Sequence, residues 1–138
     1  MATFTRFEEI TAWQEARELS KLVYDLLKKP EFKHEYGLKD QMKNSSGSVM
    51  DNIAEGYERN GNKEFINFLY ISKGSCGELR SQAYRASDQE LLNQEEFDKI
   101  FQKCLGVSRL ISSLIEYLEK SEFKGIKYSH RQNPPANL

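Results

Sequence analysis

Apolar residues recur at helical spacing in four blocks of the chain. The first row is Trp13, Ala16, Leu19, Val23 and Leu26 or Leu27. The second is Leu38, Met42, Ser45, Val49, Asn52, Ile53 and Gly56, and the third is Phe65, Phe68, Leu69, Ser72, Cys76, Leu79, Ala83 and Ala86. The fourth is Phe97, Ile100, Cys104, Val107, Ile111, Leu114 and Leu118. Steps of three and four residues put each row on one face of an α-helix. The intervals between blocks are short, roughly two to eight residues, and such connections make consecutive helices antiparallel neighbours. The pattern predicts an all-α fold: an antiparallel up-down-up-down four-helix bundle.

Local signals place the helix ends. Thr11 and Gln14 have the spacing of a capping box at the first helix. Lys28 and Lys29 suit the negative end of that helix, and Pro30 stops it. The second helix is expected to end near Arg59, with Asn60-Gly61 as the turn and Asn62 as the N-cap of the third. At the fourth helix, Asn93 can cap with Glu96 at N3, and Leu92 and Phe97 occupy the staple positions. Residues 1–123 form the expected bundle domain, with Gly125 as the latest end of the last helix. Gly125 and Pro134-Pro135 in residues 124–138 predict a mostly disordered tail.

Ser45-Ser46-Gly47-Ser48 and Gly74-Ser75-Cys76-Gly77 lie level when the chain reverses at Gly61. Glycine in a helix interior costs roughly 1 kcal/mol against alanine, so Gly47, Gly74 and Gly77 need a reason. Close approach of two helix backbones is one, and a groove kept open for a partner is the other. Asn52 falls level with Tyr70 and is expected to hydrogen-bond across the bundle, either to fix register or to hold a ligand. Glu55 and Glu78 lie near the same seam, as partly buried acids in a polar core or as a solvated edge. Glu55 and Arg59 are also spaced as an i,i+4 pair.

The 138 residues suit one core. The net charge of −1 supplies no basic excess for general phosphate attraction, so any basic surface depends on how charge is distributed. Cys76 and Cys104 fall on apolar rows and read as buried free thiols. No apolar run is long enough for a membrane span, and the first residues resemble neither a signal nor a transit peptide, so a cytoplasmic protein is expected. The two histidines, His34 and His130, do not follow a helical glutamate at the spacing of di-iron bundles. No metal, cofactor, catalytic residue or small-molecule substrate is expected, and an enzyme is the least supported class.

Trp13-Gln14-x-Ala16, Tyr36-Gly37-Leu38-x-x-Gln41, Asn52-Ile53-Ala54-Glu55-Gly56-x-x-Arg59, Glu64-Phe65-x-x-Phe68-Leu69 and Gly74-Ser75-x-x-Glu78-Leu79 resemble the four helix bundle proteins encoded in 23S rRNA intervening sequences. The likeness spans residues 4 to about 120. It implies a homo-oligomer, commonly a pentameric ring. A branch similar in fold, the accessory proteins of diversity-generating retroelements, implies binding of RNA or DNA. Basic residues available for that are Arg59 and Lys63 at the middle turn, Lys73, Arg80 and Arg85 along the third helix, and Lys39 and Lys43 one turn apart on the second. They are either ordinary solvated cations or phosphate ligands, with Arg59, Lys63, Arg80 and Arg85 the expected contacts. The other function consistent with the sequence is a protein-interaction scaffold that touches no nucleic acid. Ring contacts are expected from Tyr24, Tyr57, Ile66 and Tyr70.

Overall fold

A computed structural model describes residues 4–123; the tail expected over 124–138 lies outside the described residues. Four α-helices are present among them: α1 (Thr11–Leu26), α2 (Tyr36–Glu58), α3 (Asn62–Asp88) and α4 (Gln94–Phe123). Each packs on two others, α1 and α3 both lying against α2 and α4. The order is that of an antiparallel four-helix bundle. The predicted rows form its core: Ala16, Leu19, Val23, Met42, Val49, Ile53, Phe65, Leu69, Leu79, Ile100 and Ile111 are fully buried. No helix of the described residues is long and apolar enough to cross a membrane.

Both ends of the core are closed by residues outside the four rows. Ile10, just before α1, and Phe32, in a short 3₁₀ turn opened by Pro30, are fully buried. Burying Ile10 changes the start of α1. Ile10 takes the cap position in extended conformation, and no side chain caps the helix. The Thr11–Gln14 capping box therefore does not form; Gln14 instead donates from Nε2 to the Glu8 carbonyl at 2.8 Å. At α4 the equivalent reading holds. Asn93 N–H donates to Glu96 Oε1 at 2.9 Å, and Glu96 N–H donates to Asn93 Oδ1 at 2.8 Å.

At the middle turn Asn60 adopts φ 61°, the left-handed conformation that asparagine tolerates, while Gly61 is extended. Gly61 rather than Asn62 is the N-cap of α3. Asn62 is the first helical residue, and its side-chain amide is buried without a hydrogen bond.

The α2–α3 contact is the most extensive in the bundle, but its glycines are not what makes it close. A Cβ built on Gly74 or Gly77 meets nothing within 4 Å, and one on Gly47 meets only Asp51 Oδ2 at 3.9 Å. Gly56 is the close contact: its Cβ would lie 2.6 Å from that of Phe68 and 3.1 Å from Phe65 Cδ1. The serines join the seam. Ser48 and Ser75 share a hydroxyl–hydroxyl bond of 2.8 Å, and Ser72 Oγ donates to the Val49 carbonyl at 2.6 Å.

Asn52 does not bond across the bundle. One helical step before buried Ile53, it is only partly inside, and its amide turns back to the Ser48 carbonyl and Oγ, both at 2.8 Å. The link to α3 runs on from Ser48 to Ser75. Glu55 and Glu78 are exposed and belong to no polar core, because helical rotation carries each past the buried face. Cys76 and Cys104 are buried free thiols, with Cys76 Sγ donating to the Cys104 carbonyl at 3.2 Å. The adjoining Cys76 and burial push the Cys104 thiol well above its ordinary range, so it stays protonated.

Candidate nucleic-acid interface

Five lysines converge where α1 hands over to α2. The last turn of α1 carries Tyr24, and Lys28 and Lys29 follow in the turn just beyond its end. The Pro30 turn supplies Lys33, and the first turns of the antiparallel α2 supply Lys39 and Lys43 at i,i+4. Together with Leu27 and Pro30 these side chains line a cavity of about 620 Å³. No carboxylate lines it, although Glu31, Glu35 and Asp40 interleave with the lysines in sequence.

The charge there is largely uncompensated. Lys29 is the exception, bonding Glu96 at 2.6 Å and the Leu91 carbonyl at 2.9 Å, which ties the end of α1 to the start of α4. Hydrogen bonds from Lys29 and from the Asn93 backbone hold Glu96 below the usual glutamate range. Lys28 meets Asp25 at 3.4 Å in a pair that is about three-quarters exposed, where water screens the attraction. Lys33, Lys39 and Lys43 form no ion pair among the described residues. Instead Lys39 Nζ lies 5.4 Å from the centre of the Tyr36 ring and Lys43 Nζ 5.5 Å from that of Tyr24. Like charges gathered without counter-charge repel, and an anion seated among them relieves that repulsion. The alternation of lysine and exposed tyrosine is the chemistry that tracks a phosphate backbone and stacks bases.

A second, polar cavity of about 360 Å³ shares Tyr24 and Lys43 with the first. It continues along α2 past Asn44, Gly47, Ser48, Asp51, Asn52 and Glu55. Gly47 thus opens a groove rather than a helix contact.

The four cations expected to meet phosphate are not brought together. Arg59 is held by Glu55 at 3.0 Å and Glu64 at 3.7 Å, with its guanidinium 5.0 Å from the Phe68 ring centre. Arg80 lies over Phe101 at 5.9 Å, and Arg85 donates to Gln41 Oε1 at 2.7 Å. Lys63 and Arg85 stand twenty-two positions apart on α3, about 33 Å at 1.5 Å per residue. Lys28, Lys29 and Lys33 were not among the expected ligands. Their signal was five lysines within residues 28–43, across a helix break that folds the run on itself. Among the described residues no group of three or more His, Cys, Asp or Glu could hold a metal.

Fold and groove define a four-helix bundle with a cationic cleft at one end. The chain belongs to the family described as 23S rRNA-intervening sequence protein, whose model matches residues 8–113. A solved structure of similar fold is a protein with unknown function from the S23 ribosomal protein family of Bacteroides thetaiotaomicron VPI-5482. It matches with a TM-score of 0.73 at 19% identity, over 78% of this chain and 97% of that one. No curated protein matches.

Proposed function

We propose that the protein is a non-enzymatic, oligomeric accessory that binds RNA or DNA through the lysine groove. The carrying observation is a cleft lined by five lysines and no acid, in a chain whose net charge is −1. Membership of a family named for rRNA intervening sequences agrees with a nucleic-acid setting. The groove replaces Arg59, Lys63, Arg80 and Arg85 as the main phosphate contact, because Arg59 is neutralised by two glutamates and the others are dispersed.

Each phosphate neutralised on a single strand lowers log Kobs against log salt by about 0.7, so three free lysines give a slope of roughly −2. A mobility-shift titration over a range of salt reads this directly. Binding indifferent to salt, or no shift at low salt, contradicts the reading.

The oligomer belongs to the same proposal, with a pentameric ring as the form. Tyr70, Ile71 and Tyr84 on α3 are each about half exposed and favour a contact between copies. Tyr57 and Ile66 are buried and unsuited to one. In a ring the grooves repeat by symmetry, and weak contacts gain through avidity. Light scattering tests this: a multiple of 16.1 kDa is expected, and a stable single-chain mass contradicts it.

A further inference from the structure

The two cavities that meet at Tyr24 and Lys43 differ in chemistry along one track. The charged groups of the first are ammonium groups only. The second offers Asn44, Ser48, Asp51 and Asn52, with Glu55 at its far end. Tyr24, 44% exposed, stands at the junction. Beyond it lies Gly47, where, apart from the helix's own backbone, a Cβ would meet only Asp51 Oδ2, at 3.9 Å. The Asp51 carboxylate lines this cavity, is exposed, and forms no ion pair among the described residues.

We infer that the track takes an unpaired nucleotide within a single strand, with the strand's phosphates among Lys33, Lys39 and Lys43, its base against Tyr24, and an amino-bearing base edge toward Asp51. The assignment rests on the nucleic-acid reading of the lysine groove and narrows it. Three observations carry it. The two clefts, about 620 and 360 Å³, are open to solvent and adjoin at Tyr24 and Lys43, so a strand can lie along both. The ring at the junction is exposed and adjoins an ammonium, so stacking and phosphate binding are neighbours there. The third is the change of sign. A continuing phosphate ladder, as a duplex presents, would run from Lys43 onto Asp51, which has no ion pair among the described residues, and be repelled there. A base edge carrying an exocyclic amine would be attracted, since a carboxylate accepts from cytosine N4. Uracil and thymine present a carbonyl at that place and meet repulsion.

Fluorescence anisotropy with labelled oligo(C), oligo(U) and a duplex of equal length tests the assignment. Wild type is expected to bind oligo(C) roughly tenfold tighter than oligo(U). Tyr24→Leu is expected to weaken oligo(C) binding by roughly tenfold while leaving the salt slope unchanged. Asp51→Asn removes a repelling charge on an exposed site, so overall affinity rises while the ratio of oligo(C) to oligo(U) falls toward one. Equal affinity for all three probes, with no effect of Tyr24→Leu and no change of ratio in Asp51→Asn, overturns the inference and leaves the lysine-groove reading standing. No binding of any probe overturns both. Cytidine monophosphate displacing labelled oligo(C) as well as unlabelled oligo(C) does would assign the site to a free nucleotide and overturn the strand assignment.

Discussion

Gly56 and Gly74 both lie in helix interiors at the α2–α3 hairpin, yet a methyl group added at each meets opposite surroundings. At Gly56 it collides with Phe68 Cβ at 2.6 Å, backbone-proximal on a packed helix, and little can move. At Gly74 it meets nothing within 4 Å. Denaturant unfolding is therefore expected to show Gly56→Ala losing about 1–3 kcal/mol, the usual cost of overpacking. Gly74→Ala is expected to gain up to about 1 kcal/mol through helix propensity. Losses of equal size at both positions would contradict the packing described here. The sequence placed Gly56 on the buried row but could not rank it above Gly47, Gly74 and Gly77. A glycine reads the same whether it admits a neighbour or faces open space; only the rotation of one helix against the other decides. The serines were legible as small residues, but their hydroxyl bonds across the seam were not.

Helix ends show why equal motifs have unequal outcomes. Asn93 and Glu96 cap α4 as their spacing predicts, because neither is needed in the core and the further bond from Lys29 to Glu96 leaves the cap geometry intact. Thr11 and Gln14 have the spacing without the cap, since Ile10 is needed in the core and takes the cap position itself. Glu96 has a second role in holding Lys29, so its carboxylate titrates below the ordinary glutamate range. A folded value below the unfolded one means stability present above the unfolded value and lost as pH falls through the folded one. Glu96→Ala is expected to cost about 1–2 kcal/mol at neutral pH, with the difference from wild type shrinking in acid. A difference that stays constant as the pH falls through the carboxylate range would show that the ion pair contributes nothing.

At the scale of the molecule, four helices were readable because burial of one face imposes a period that survives in any single sequence. Charge placement has no such period. A net charge of −1 hides five lysines that gather only after the chain reverses beyond Pro30, while their acidic neighbours in sequence line no part of the cleft. The expected cations on α3 were visible individually, but the length of the helix that carries them keeps them apart. The decisive comparison is nucleic-acid affinity at low salt for a Lys33→Glu, Lys39→Glu, Lys43→Glu variant beside an Arg59→Glu, Lys63→Glu control, with helicity checked in both. The groove predicts that the first loses binding by at least about a hundredfold, three phosphate contacts being replaced by repulsion, while the control changes little. Binding that survives the triple reversal and is lost in the control would contradict it.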